Sequence, residues 1–160
     1  MNKRLIAIFA ATLMLATGCA SVPMADTSAD TTAKTFKVAP NKSGIYIYRN
    51  ESMGAAVSMD LFINGKPLGQ TAAKTYAYVE VDPGKHKILS KAENEELLEL
   101  DTLAGKLYYV WQEVKMGLLY ARNKLSLVDE KTGQAGVMES KLISQKQSVV
   151  SQRFSIRRLG

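Results

Sequence analysis

Between positions 44 and 128 the chain is cut into short apolar stretches by turn residues, recurring every 8–12 positions or so. Stretches that short cannot bury their apolar positions as ordinary helices, so they point to stacked β-strands. Gly44-Ile45-Tyr46-Ile47-Tyr48-Arg49 is aliphatic on one face and aromatic on the other, which suits a strand covered on both sides. Val57, Met59, Leu61 and Ile63 share a face and run straight into Asn64-Gly65, a strong hairpin signal. Lys66-Pro67-Leu68-Gly69 makes the return strand, and Pro67, with no N–H to donate, suits a sheet edge. Residues 75–82 alternate and end in Asp82-Pro83-Gly84, where Pro fixes φ and Gly supplies φ > 0. Segments 86–90, 97–103, 106–115 and 124–128 complete the set. Residues 95–100 have a helical composition, but Leu98 and Leu100 alternate with Glu99 between close turns, so a strand fits better. Residues 129–133 read as a loop, and 134–143 as a short helix or a last strand. The expected fold is mainly β: an antiparallel β-sandwich of about seven to nine short strands, with that short C-terminal helix as the open alternative.

The opening residues follow a different logic. Lys3-Arg4 precede a run of about 12 apolar residues, whereas a helix crossing a bilayer needs roughly 20. The run closes in Leu15-Ala16-Thr17-Gly18-Cys19, and Cys19 is the only cysteine in the chain. A basic start, an apolar stretch, small residues and a cysteine, in that order, are the parts of a bacterial lipoprotein signal. An ordinary signal with Cys19 as a bystander would leave an unpaired thiol in an oxidising compartment, which secreted chains tend to avoid. Residues 1–18 therefore read as a signal peptide and Cys19 as the lipidated N-terminus. The similarity to bacterial lipoproteins implies their sorting rule. Asp directly after the cysteine holds such proteins on the inner membrane; here the position is Ala20, which implies the outer membrane, facing the periplasm.

Residues 21–42 are rich in Ser, Thr, Ala and Asp and lack a periodic apolar face, so 19–42 reads as a lipidated flexible tether. The folded domain is expected over 43–143, with a basic tail over 144–160. The formal charge of +6 misleads about that domain. Lys3 and Arg4 leave with the signal. The tail region holds Lys141, Lys146, Arg153, Arg157 and Arg158 with no acid, and residues 19–140 carry 14 basic against 15 acidic groups. That balance argues against a nucleic-acid partner. No disulfide can form within the chain.

The motif order from Gly-Ile-Tyr-Ile-Tyr-Arg-Asn through Asn-Gly-Lys-Pro-Leu-Gly, Pro-Gly-Lys-His and Ala-Gly-Lys-Leu-Tyr-Tyr-Val to Leu-Val-Asp-Glu resembles the domain-of-unknown-function 2846 family of small bacterial lipoproteins. The stretch from Leu61 to His86 is also similar to PEGA-type β-sandwich modules, although Thr71-Ala72-Ala73 stands where those usually carry Thr-Pro. The resemblance covers about 100 residues and implies a β-sandwich, an envelope location and no catalytic residue to carry over.

Candidate chemistry is sparse. His86 is the only histidine, so a triad or general base would have to use it. Its place after Pro83-Gly84 suits bracing that turn, and Asn64 and Gly65 are read separately as structural turn residues. A zinc site would need carboxylates around this one imidazole, and no metal is expected. Glu93, Glu95, Glu96, Glu99 and Asp101 lack the offsets and the turn glycine of a calcium loop, and read as a solvated strand face. The strand tyrosines suit packing. In a two-layer sandwich one ring of the Tyr108-Tyr109 pair points away from the core, which makes Tyr109 and Trp111 the candidate surface patch for a cell-wall glycan. Arg153, Arg157 and Arg158 read as a frayed terminus, with anionic lipid as the alternative contact. The sequence thus leads to a non-enzymatic outer-membrane lipoprotein without a cofactor, held by lipid on Cys19 and serving as a binding or structural module of the envelope. The alternative is an accessory subunit of an envelope assembly or secretion complex.

Overall fold

Strand β1 (Ser43–Arg49) is buried along its whole length, as its two apolar faces require. The computed structural model describes residues 21–116 and 121–145. β1 lies in the middle of a five-stranded sheet, between β4 (Thr75–Val81), antiparallel to it, and β7 (Leu107–Met116), parallel to it. β8 (Ala121–Val128) and the two-residue β9 (Lys141–Leu142) form the outer strands. A second, fully antiparallel sheet has the order β3-β2-β5-β6, with β2 (Met59–Ile63), β3 (Lys66–Thr71), β5 (Gly84–Lys91) and β6 (Glu95–Thr102). Ile45, Ile47, Ala77, Val110 and Leu125 from the first sheet meet Leu61, Leu68, Ile88 and Leu100 from the second in one apolar core.

The β-sandwich expected from the turn spacing is present, with nine strands among the described residues. Asn64 (φ 51°) and Gly65 (φ 77°) form the two-residue hairpin between β2 and β3. Pro67 lies on β3, an edge strand, where the register shifts as the ladder skips Leu68. Residues 95–102 are the strand β6. Two parallel pairings, β1 with β7 and β4 with β9, depart from the antiparallel expectation. A buried polar link crosses the core: Thr71 donates to Gln112 Oε1 (2.5 Å), and Gln112 Nε2 donates to Ser90 (2.7 Å). All three side chains are fully buried, so the pairing satisfies groups that would otherwise be costly.

The tether expected over 19–42 is corrected by the structure from Ser21 onward. Val22 is buried in the sandwich core, Met24 bridges Ile143, and Thr27–Ala33 form helix α1. Asp26 caps the helix by accepting from the Ala29 N–H at 2.7 Å. Ala25, Ala29 and Ala33 recur every fourth residue and pack on the sheet. The folded body also passes the expected end at 143, because the Gln145 side-chain amide donates to the Tyr78 carbonyl. Residues 129–133 are not a loop. Asp129 caps helix α2 (Glu130–Met138) by accepting from the Thr132 N–H at 3.0 Å. The signal region 1–18, Cys19, Ala20 and tail residues 146–160 lie outside the described residues.

Gly133 and Gly136, which make α2 look like a loop, let it press on the sheet. A methyl group at Gly133 would overlap the Tyr109 ring, and one at Gly136 the Tyr48 ring. Gly→Ala in a helix interior ordinarily gains about 1 kcal/mol. Here the sign should reverse: Gly133→Ala and Gly136→Ala are each expected to lose about 1–3 kcal/mol through overpacking. Chemical denaturation followed by circular dichroism checks this; a stabilised variant would contradict the packing.

Candidate functional site

His86 opens strand β5 next to the β2–β3 hairpin. Its Nε2 lies 2.8 Å from the Asp82 carbonyl and its Nδ1 lies 2.9 Å from Asn64 Nδ2. Asn64 Oδ1 accepts from the Lys87 N–H at 3.0 Å, which fixes the amide orientation. A carbonyl can only accept, so Nε2 carries the proton and Nδ1 accepts. Both ring nitrogens are thus spent on locking Asn64-Gly65 to Pro83-Gly84. A shallow hollow of about 240 Å³ adjoins, lined by Lys85, Lys87, Glu99 and Asp101. Lys87 and Glu99 pair across its surface at 3.2 Å. Among the described residues no three acidic, histidine or cysteine groups converge as a metal site would require. Glu95, in the acidic run, pairs with Lys91 at 2.6 Å.

The outer face of the five-stranded sheet carries Tyr46, Tyr48, Tyr76 and Tyr109. The helices roof it over. Tyr109 points away from the sandwich core, but it is 1% exposed and so is no surface patch. Trp111 is half-buried, and its indole N–H finds no partner among the described residues. Tyr46 stacks on Tyr78 at 4.4 Å and on Tyr109 at 5.2 Å between centroids. Sequence reasoning had the direction of these rings but missed their cover. The missing signal was Asp26 followed by alanines at every fourth position.

The hydroxyls tie this roof down. Tyr46 donates to the Ala33 carbonyl at 2.6 Å and Tyr76 to Asp30 Oδ1 at 2.9 Å. Tyr78 lies within 3.2 Å of the Lys37 carbonyl. Burial pushes Tyr46, Tyr76 and Tyr78 well above the ordinary phenol range, with the Asp30 carboxylate adding to the effect at Tyr76. They therefore remain donors.

Beside this roof the edge of β4 is open. β9 pairs only with Thr75 and Tyr76, and beyond Tyr78 no strand covers β4 among the described residues. A groove of about 910 Å³ runs there, lined by Ala29, Ala33, Lys37, Tyr78, Glu80 and Gln145 among others. A second depression, of about 450 Å³, lies where the chain enters the fold. Ser21 and Val22 share it with Ala72, Ala73, Lys74 and Lys141.

The family model for a protein of unknown function, DUF2846, matches residues 39–124. The match covers more than half of the chain. This chain belongs to the DUF2846 family. The match runs from just before β1 into β8, so the four-stranded sheet and β1, β4 and β7 fall within it, whereas β9 and both described helices lie outside. An uncharacterised protein of Haemophilus influenzae is 35% identical over 127 residues, covering 78% of this chain and 75% of that protein. No solved structure matches.

Asp30 joins three elements, because its carboxylate also accepts from the Leu142 N–H at 2.9 Å and from Lys34 Nζ at 2.9 Å. Burial acts to raise its pKa, but the bonds from Lys34, Leu142 and Tyr76 together hold it below the usual carboxylate value. A depressed folded-state pKa gives stability that is present above the unfolded value, about 3.9, and lost as the pH falls through the folded one. Asp30→Ala should cost about 1–3 kcal/mol at neutral pH by leaving buried donors unpaired. The deficit should shrink below about pH 4, which denaturation at several pH values would test.

Proposed function

We propose that this DUF2846 member is an outer-membrane lipoprotein, anchored through Cys19, whose β-sandwich serves as a non-catalytic binding or structural module of the envelope. The observation that carries the reading is a coincidence of boundaries. Buried, core-forming structure is already present at Val22, three residues after the only cysteine. A lipoprotein signal would place the mature N-terminus at that cysteine, directly ahead of the folded body. Two acyl chains, at about 0.8 kcal/mol per buried CH₂, suffice for stable anchoring. The occupied nitrogens of His86 support a structural role for the only histidine.

The open edge of β4 favours a second reading, an accessory subunit that takes an extended peptide by strand addition. Crosslinking in intact cells separates the two. A defined protein adduct through the β4 groove supports the subunit reading, and capture of cell-wall glycan supports the first.

Two measurements test the anchor. Mass spectrometry of the mature N-terminus should find Cys19 as the first residue, with acyl chains attached. Cys19→Ser should leave a soluble or unprocessed protein; a variant that still extracts with the membrane would overturn the anchor.

A further inference from the structure

The anchoring reading, on which this inference rests, has a geometric consequence. Cys19 and Val22 are three residues apart, and three extended residues span at most about 10 Å. Val22 is fixed in the sandwich core, so a lipid on Cys19 leaves the folded body almost no stand-off. The polar zone on each side of a bilayer is itself about 5–8 Å thick. We infer that one end of the sandwich, around the entry of the chain at Ser21, rests on the phospholipid surface as a built docking face.

Strand register identifies this end. Ser21 and Val22 enter beside the β3–β4 turn, Ala72 to Lys74. Thr75, at the start of β4, pairs with Arg49 at the end of β1 and with Lys141 at the start of β9. The β7–β8 pairing ends there at Met116 opposite Ala121. Arg49, fully buried, donates to the carbonyls of Val57 (2.7 Å), Met53 (3.0 Å) and Gly54 (2.6 Å), which ties the β1–β2 loop to the same end. Helix α2 also finishes there, with Glu139 paired to Lys74 at 3.1 Å.

Seven large apolar side chains are exposed among the described residues, and four of them are methionines belonging to this end. Met24 lines the entry depression, Met53 sits on the Arg49-bound loop, Met116 ends β7, and Met138 closes α2. Met116 is 81% exposed. Flexible thioether side chains suit an irregular, soft surface such as the headgroup–acyl boundary. Lys74, Lys91 and Lys115 at this end are paired with Glu139, Glu95 and Glu113. The opposite end, with Asn64-Gly65, Asp82-Pro83 and Gly105, faces away from the membrane.

The test uses the full chain, purified from membranes and reconstituted into phosphatidylethanolamine–phosphatidylglycerol vesicles carrying a lipid-borne quencher. The native sulfur is consumed by the lipid, so a fluorophore can be attached at one added cysteine: Ala73→Cys or Met138→Cys at the docking end, Lys66→Cys or Asp82→Cys at the far end. Quenching should be several-fold stronger at the first pair than at the second. Adding Met116→Asp to Ala73→Cys should lower it while the protein still floats with the vesicles. Equal quenching at both ends of a protein shown by mass spectrometry to be acylated would overturn the docking face alone. An N-terminus without acyl chains would overturn the anchor and the docking face together.

Discussion

A strand apolar on both faces has to be covered twice, and β1 sets that requirement for the whole molecule. Its isoleucines, Ile45 and Ile47, face the four-stranded sheet; its tyrosines, Tyr46 and Tyr48, face the other way. An ordinary two-layer sandwich would have left those rings in water, at about 1.5–3 kcal/mol for a large apolar side chain exposed rather than buried. Among the described residues the chain meets the second requirement with two helical segments, one before β1 and one between β8 and β9. Both are short, and neither would hold as an isolated helix. Their stability comes from the tyrosine face they cover.

Tyrosine, rather than phenylalanine, makes this roof specific. The rings fill the layer beneath the helices, while the hydroxyls of Tyr46, Tyr76 and Tyr109 reach a backbone or side-chain group above. Tyr46 reaches the last residue of α1, Tyr76 reaches Asp30 on the same helix, and Gln134 of α2 donates to Tyr109 at 3.3 Å. A phenylalanine layer would bury similar area but would not fix where each helix sits along the sheet. Asp30 extends the same logic to the edge, since one carboxylate holds α1, β4 and β9 together. The short β9 is thereby gripped from both sides, by β4 and by the bridge from Met24.

The sheets were legible in the sequence because their signals are local. Asn64-Gly65 and Pro83-Gly84 encode turns by backbone preference alone, and two-faced burial of β1 follows from its Ile-Tyr alternation. The helices were illegible for a related reason. Alanine in α1 and glycine in α2 are chosen for contact with a tyrosine face, not for amphipathic contrast. Polar composition then mimics a linker, and Gly133 and Gly136 mimic a turn. The same blindness moved Tyr109 from the interior to the surface: alternation gives a side chain's direction, and only tertiary structure says what lies there. His86 was legible in role because its turn is local, whereas its partner Asn64 lies 22 positions away.

With Val22 inside the core, an anchor at Cys19 would act differently from one on a long linker. On a long linker, a lipid would restrict only the distance of the domain from the membrane, leaving its orientation free. When Val22 is part of the core and Met24 is part of the β9 edge, restraint at Cys19 passes directly to the sheet. The β4 groove then takes a fixed place relative to the bilayer, beside the entry point and not beyond a swinging arm. A partner strand added at Glu80 and Val81 would lie toward the end opposite the β3–β4 turn, farther from the lipid than Thr75. The two readings of the protein are therefore compatible in space: a sandwich held by one end at the membrane would turn toward the aqueous side the part of β4 that no strand covers among the described residues.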